Sequence, residues 1–339
     1  MNILLIILIY VILSFFCFHI LNFFFHKYQL LDFPNHRKLH SKPVPYVGGI
    51  AILIIYCLSI YLFDYFDSYY STIIFFGLFT CLINLIDDII DLDFKIKLFL
   101  QLLICLIFIY LTKIYVYDLG YIESYGQINL GPYGIFFTII CVMIIMNSLN
   151  YFDGIDGLSS SIYLISIFNL FLFSFSFNDY LNIYLFLCLP IIIFLFYNFE
   201  IFKLPKIFLG NNGSSSLGFI LGFLCISAVF IENTFIHSEI IWLLWLLVYE
   251  FLSTTISRLL NKKNPFQPGH DHIHFGLSNL FKSSKKGYFI LIIFYEIICI
   301  FGFIISSYGI FYSYLIFFIF FLPYHLIREN IINYNEKFN

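Results

Sequence analysis

Charge is what this sequence has least of. Only 11% of its 339 residues are Asp, Glu, Lys or Arg, while 61% are hydrophobic. Soluble domains run at about 25% charged and about 45–50% apolar, so a water-soluble enzyme of ordinary composition is excluded. Alanine is nearly absent: Ala51 and Ala228 stand against 47 Phe and 27 Tyr, which points to an AT-rich genome rather than to a mechanism. The eight cysteines lie in apolar runs and form no CxxC pair. Each reads as a small buried hydrophobe rather than part of a disulfide, zinc or redox site. The start of the chain lacks a basic n-region and an A-x-A site, so residues 3–25 read as a retained span. No polar stretch is long enough to fold alone, so 1–339 reads as one integral membrane domain. The net charge of −3 gives no basis for a nucleic-acid partner.

What is present is a series of apolar runs. They predict about eleven transmembrane helices near 3–25, 48–63, 71–86, 98–113, 133–149, 158–176, 181–198, 214–231, 240–257, 288–306 and 311–327. A crossing needs roughly 20 apolar residues. Helices are favoured because a spanning sheet must close as a barrel and shows period-two alternation. The fold class expected is an all-α polytopic integral membrane protein. With these spans, every Lys and Arg except Lys113 falls on one side. The positive-inside rule makes that side cytoplasmic, with the N-terminus outside and the C-terminus cytoplasmic. The outer loops are short and acidic or polar, and 114–132, with Gly120, Gly126, Gly131 and Pro132, is expected to form a hairpin.

The inner face carries the chemistry-bearing residues. Around the third span's end the chain reads Asn84-Leu-Ile-Asp87-Asp88-Ile-Ile-Asp91-Leu-Asp93-Phe-Lys95-Ile-Lys97. If the helix continues, Asp87 and Asp91 share a face. Two carboxylates about 5 Å apart repel by roughly 3 kcal/mol at an effective dielectric near 20. A hard divalent cation offsets that, as could Lys95 or Lys97. The next inner segment, Asn147-Ser-Leu-Asn150-Tyr-Phe-Asp153-Gly154-Ile-Asp156-Gly157-Leu, offers carboxylates, amides and glycines but no basic residue. That set suits magnesium and a sugar or nucleobase edge. Carboxylates with Mg²⁺ suit phosphoryl transfer, which is mainly positioning and charge neutralisation. Gly210-Asn211-Asn212-Gly213-Ser214 at a helix start can hold a phosphate, though Ser and Asn also cap helices. His270-Asp271-His272-Ile273-His274 after Arg258 could bind zinc, but no further ligand is placed to complete a site, and the histidines could equally contact phosphates or sugar hydroxyls. The basic first inner loop, with Lys38 and His40, reads as topology and lipid attraction or as a contact for an anionic substrate.

Taken together, these segments resemble the polyprenyl-phosphate N-acetylhexosamine-1-phosphate transferases of glycosyltransferase family 4. The resemblance rests on DxPNxRKxH–P–P–GG (32–49), IDDxxDL–K (86–97), NxxNxxDGIDGL (147–158), G–GS–LG (210–218) and the HxH loop, in family order. It implies transfer of a sugar-1-phosphate from a UDP-N-acetylhexosamine to undecaprenyl phosphate, with release of UMP. It also implies a cytoplasmic-face site in the inner membrane and Mg²⁺ as cofactor, with Mn²⁺ able to stand in, and it leaves room for a homodimer. By the same resemblance, Asp87 and Asp88 belong near the metal and the lipid phosphate, with Asp87 a candidate base. Asp153 and Asp156 belong near metal and nucleotide, and Asn211 occupies a metal position. Lys97 and Arg258 would neutralise phosphates, and His272 and His274 would contact the sugar-phosphate. Asn147, Asn150, Lys38, His40 and Ser214 complete the substrate-binding set.

Some positions depart from the family pattern. Asn211 stands where the family usually has Asp, Phe275 where a further His is common, and Tyr46 where Arg is common; Glu250 lies near a frequent Asp. The His-Ile-His spacing after Asn-Pro-Phe-Gln-Pro favours the antigen-initiating branch, hence GlcNAc-1-phosphate, over the phospho-MurNAc-pentapeptide transferase of peptidoglycan synthesis. The rival classes are a transporter, which should hold its acids near the midplane on broken helices, and a lipid-binding relative with a site weakened at Asn211.

Overall fold

The computed structural model describes residues 3–34, 42–63, 68–122, 125–173, 181–265, 267 and 269–338. Lys38 and His40 lie outside the described residues. The long helices are α1 (Ile3–Lys27), α2 (Gly48–Phe63), α3 (Ser68–Ile90), α4 (Phe94–Thr112), α5 (Tyr133–Tyr151), α6 (Leu158–Phe173), α7 (Leu181–Asn198), α8 (Gly210–Phe230), α12 (Ser284–Ser306) and α13 (Ile310–Phe338). A bent pair, α9 (His237–Leu243) and α10 (Trp245–Leu260), turns by 66° at its break, and the short α11 (Ile273–Leu280) follows. Over the described residues each apolar run of the sequence is thus helical, with the 240–257 run broken at Leu244; residues 174–176 lie outside the described residues.

Seven of these helices are long and apolar enough to cross a membrane, or eight if the bent pair is one span; Gly48–Tyr61, Leu158–Phe173 and Ile183–Asn198 are shorter apolar helices. Large apolar side chains point outward along them, among them Leu4, Phe99, Phe136 and Phe318. Water would not tolerate so extensive a surface, and lipid does. The protein is an all-α polytopic membrane protein.

The hairpin expected in 114–132 is present. β3 (Asp118–Ile122) pairs antiparallel with β4 (Gly126–Asn129). A second two-stranded piece joins β1 (Leu31–Asp32) to β2 (Val44–Pro45), pairing Leu31 with Pro45 and Asp32 with Val44. It lies between the end of α1 and the start of α2.

The core is built around α8, whose residues from Asn212 to Ala228 are all buried. It packs on α2, α3, α5 and α6. Lipid tails are as apolar as Leu, so helices in a bilayer associate through close packing and interhelical hydrogen bonds. Gly218 supplies the first: a Cβ there would lie 2.5 Å from the Met146 Cα of α5. Gly49 and Gly213 do the same between α2 and α8, where a Cβ on Gly49 would fall 2.2 Å from the Gly213 Cα. Polar bridges supply the second. Asn169 donates to Glu296 at 3.0 Å between α6 and α12, and Ser166 and Tyr295 share a hydrogen bond at 2.7 Å.

Candidate active site

Helix ends build the polar centre. α3 keeps Asp87 and Asp88 inside its last turn and stops at Ile90. Asp91 adopts a left-handed conformation, φ 52°, and is exposed. The helix therefore does not continue, and Asp91 does not share a face with Asp87. The turn is closed by Asp87 itself, whose Oδ1 accepts the Leu92 N–H at 3.1 Å. Its Oδ2 accepts Lys97 Nζ at 2.7 Å and Asn211 Nδ2 at 3.3 Å. Lys97 reaches it because Asp93 caps α4 through the Lys95 N–H, setting the first turn of that helix beside α3.

Asp88 does different work. It accepts the backbone N–H of Asn211 (3.1 Å) and of Asn212 (3.0 Å), and Asn212 Nδ2 at 2.7 Å. These are the first N–H groups of α8, which have no acceptor inside the helix. A carboxylate at a helix N-terminus also meets the favourable end of the dipole. Asn212, fully buried, completes the clamp: its Oδ1 accepts the Ile50 N–H at 3.0 Å and its Nδ2 also donates to the Tyr46 carbonyl at 3.0 Å. One carboxamide thus fixes α2, α3 and α8 together.

The second acidic segment joins from α5. Asn150 Nδ2 donates to Asn211 Oδ1 at 2.6 Å and to Ser214 Oγ at 3.0 Å. Asn147 points to α4, donating to Gln101 Oε1 at 3.0 Å and to the Met143 carbonyl at 2.7 Å. Asp153 lies on a single 3-10 turn, Phe152–Gly154, takes a hydrogen bond from the Gly210 backbone, and is within electrostatic range of Asp88, Asp156 and Asp32. Asp156 is 43% exposed and paired with Lys206 at 2.6 Å.

The histidine loop closes one side. A Cβ on Gly154 would fall 2.9 Å from His274 Nε2 and 2.4 Å from the Phe275 ring, so the acidic loop and the histidine loop touch there. His272 stacks on Tyr151 with ring centroids 4.4 Å apart, and its Nδ1 faces Glu250 Oε1 at 3.1 Å. His274 is fully buried between Phe152 and Phe275, and among the described residues neither ring nitrogen has a hydrogen-bond partner. Burial, with His272 beside it, holds its affinity for a proton well below the ordinary value of 6.5, so the ring is neutral.

Arg258 is placed otherwise than the resemblance implied. Its guanidinium makes a two-pronged contact with Asp271 (2.8 and 2.6 Å) and donates to the Pro265 and Gln267 carbonyls, both at 2.7 Å. It is 4% exposed and braces the histidine loop from within. Burial alone would raise the Asp271 carboxyl, but the guanidinium holds it well below the usual carboxylate range.

The structure thus brings Asp87, Asp88, Lys97, Asn150, Asn211 and Ser214 into one hydrogen-bonded set, with Asp153 alongside. Asp156 stands at the rim, Asn147 one layer away against α4, and Arg258 behind the histidines. Among the described residues no three His, Cys, Asp or Glu side chains form a metal cage. The donor chemistry still fits magnesium, which keeps several waters and is held by one or two carboxylates together with substrate phosphates. Sequence reasoning missed Asn212, overshadowed by Asn211, and the buried Glu250–Arg328 pair (3.2 Å), whose one signal was charge inside apolar helices.

A polytopic membrane enzyme with its polar groups gathered at helix ends is the class these features define. Residues 70–229 match the model of glycosyl transferase family 4. The chain is 32% identical over 309 residues to an undecaprenyl-phosphate alpha-N-acetylglucosaminyl 1-phosphate transferase of Thermotoga maritima, covering 85% of this chain and 92% of that protein. It is 28% identical over 252 residues to the Escherichia coli (strain K12) protein of that name, covering 73% and 69%. A Bacillus subtilis protein described as a probable undecaprenyl-phosphate N-acetylglucosaminyl 1-phosphate transferase is 26% identical over 317 residues, 92% of this chain and 87% of its own length. The chain belongs to glycosyl transferase family 4 and is a transferase.

Proposed function

We propose that this protein transfers N-acetylhexosamine-1-phosphate, most simply GlcNAc-1-phosphate, from a UDP-sugar to undecaprenyl phosphate. A lipid-phosphate oxygen attacks the sugar-bearing phosphorus, the bond to the bridging oxygen breaks, and UMP leaves. The product is a lipid pyrophosphate sugar on which an envelope polysaccharide is begun. One observation carries this reading: the family-pattern residues from three separate segments meet in a single hydrogen-bonded set, Asp87–Lys97, Asp88–Asn211 and Asn150–Ser214.

In this reading Lys97 pairs with Asp87 and lends positive charge to the arriving phosphates. Asp88 and Asn212 hold the start of α8, so that Asn211 and Ser214 face Asn150. Asp153, with Asp87 or Asp88, would hold Mg²⁺, which when bound neutralises the diphosphate. Asp156 and Lys206 at the rim suit the nucleotide. Arg258 and Asp271 hold the histidine loop, and His272 would contact the sugar-phosphate.

The topology proposed is eleven crossings, counting the three shorter apolar helices and the bent pair with the seven long ones. The N-terminus is then outside, and the C-terminus and the site are on the cytoplasmic face of the inner membrane, with residues 1–339 as one domain. The distribution of Lys and Arg supports this orientation. The test is UMP release by purified protein in detergent, with undecaprenyl phosphate, Mg²⁺ and a panel of UDP-N-acetylhexosamines. Release that needs both lipid and metal is expected. Folded protein that releases no UMP with any donor, yet moves solute into vesicles, would refute the reading.

A further inference from the structure

The reaction as proposed leaves two fully buried charges without a part to play. Glu250 on α10 is 0% exposed and Arg328 on α13 is 1% exposed. Arg328 lies far along the chain from the acidic motifs, yet its guanidinium reaches three elements. Nε donates to both Glu250 oxygens (3.3 and 3.2 Å), one terminal nitrogen to Thr254 Oγ1 (2.8 Å) and to the Asp271 carbonyl, and the other to Glu329 (2.6 Å). Glu250 carries the contact onward. Its Oε1 accepts the Ile273 N–H at 3.2 Å and faces His272 Nδ1 at 3.1 Å, while its Oε2 accepts the Tyr324 hydroxyl at 2.6 Å.

The role of His272 Nδ1 follows from this surround. Besides His272, every partner of Glu250 is a donor: Arg328, Tyr324, Thr254 and the Ile273 amide. A carboxylate only accepts, so the His272 nitrogen facing it is an N–H. In the neutral ring Nε2 is then the nitrogen with a lone pair. The ring is held flat against Tyr151, two residues before Asp153. A carboxylate that fixes a histidine's tautomer and direction is a recurring way to hold an imidazole for work.

We propose that Arg328 is a positioning residue for transfer, acting through Glu250 and the Asp271 carbonyl to hold His272 as its Nδ1–H tautomer with Nε2 available to the substrate. This rests on the transferase reading above. It makes α13 part of the site's support. Breaking a buried pair by removing one partner destabilises strongly, so the test uses Arg328→Lys, which keeps the charge but cannot reach Glu250, Thr254 and the Asp271 carbonyl at once. Glu250→Gln, which keeps shape and one acceptor oxygen, serves as a second variant.

Two readouts are taken on the purified full chain. The first is the nitrogen-15 spectrum of the histidines, with His272 assigned by its loss in His272→Gln. The second is UMP release at varied UDP-GlcNAc and undecaprenyl phosphate. Wild type should show His272 protonated at Nδ1. Arg328→Lys and Glu250→Gln should mix the tautomers and lower kcat by about 10–100-fold, with KM for undecaprenyl phosphate unchanged. An Nε2–H tautomer in wild type overturns the proposal, as does wild-type kcat in both variants. Absence of UMP release by wild type overturns the transferase reading instead, and the spectrum still decides the tautomer.

Discussion

Asn211→Asp is the most informative single change. Asn211 Nδ2 lies 3.3 Å from Asp87 Oδ2, and its Oδ1 accepts Asn150 at 2.6 Å. Aspartate keeps the second contact and replaces the first with two facing oxygens, both negative. At that separation and an effective dielectric near 20 the repulsion is about 5 kcal/mol. Lys97 Nζ is 2.7 Å from the same Asp87 oxygen and so no more than about 6 Å from the new carboxylate oxygen; its attraction for that charge offsets roughly half of the repulsion by the same arithmetic. The metal-free variant should therefore be less stable by about 2–3 kcal/mol, a shift on the order of several degrees in melting temperature. Magnesium between the carboxylates reverses the sign of the interaction. Because each 1.4 kcal/mol is about tenfold in affinity, Mg²⁺ should bind the variant at least tenfold more tightly. The assay is thermal unfolding in detergent across a magnesium titration, with UMP release alongside. A metal-free variant as stable as wild type would refute the geometry. Equal stabilisation of both proteins by magnesium would refute the placement of the metal.

Other outcomes follow from other residues. Asp156→Asn should leave stability within about 0.5 kcal/mol, because an exposed pair with Lys206 contributes little, yet lower UMP release at least tenfold; unchanged turnover would remove Asp156 from the site. Asn212→Asp sets a carboxylate 2.7 Å from Asp88 and withdraws the donor to the Tyr46 carbonyl. Folded yield should collapse, whereas accumulation at wild-type level would show that the clamp is dispensable. His274 titrates below its ordinary 6.5 when folded, so the unfolded chain binds the proton first as pH falls. Stability is full above 6.5 and declines below it by up to about 1.4 kcal/mol per pH unit, until the folded ring itself protonates. Melting on either side of 6.5 should show a smaller acid loss in His274→Phe than in wild type; equal losses would refute the assignment.

Much of this was legible in the sequence where composition decides the structure. A bilayer leaves helices as the economical way to satisfy the backbone, so apolar runs such as 48–63 and 181–198 gave their helices directly. The 66° break between Leu243 and Trp245 was not visible, because no Pro or Gly marks it and the run stays apolar throughout. The positions of the acids along the chain can be read from the sequence, but their partners cannot. Nothing local says that Asp88 turns toward the α8 amides while Asp87 turns toward Lys97. Those directions arise from where α3 ends and how close Gly49 lets α2 come to α8. Arg258 illustrates the same limit: a basic residue near a phosphate site reads as a phosphate ligand until the loop beside it is seen to take up its donors.

The burial of α8 has a consequence for how the chain enters the membrane. Its spanning window is 94% buried, and its first turns carry Asn211, Asn212, Ser214, Ser215 and Ser216. Alone in hydrocarbon Asn211, Asn212 and Ser214 would lose the partners they have in the assembled protein, among them Asp88, Asn150 and the Tyr46 carbonyl. Such a helix is poorly suited to wait in lipid. Its neighbours α2, α3, α5 and α6 all precede it in the chain and are synthesised first, so α8 emerges into a cradle already made. The order of the sequence doubles as an assembly schedule, and the acidic residues meet their partners as α8 takes its place.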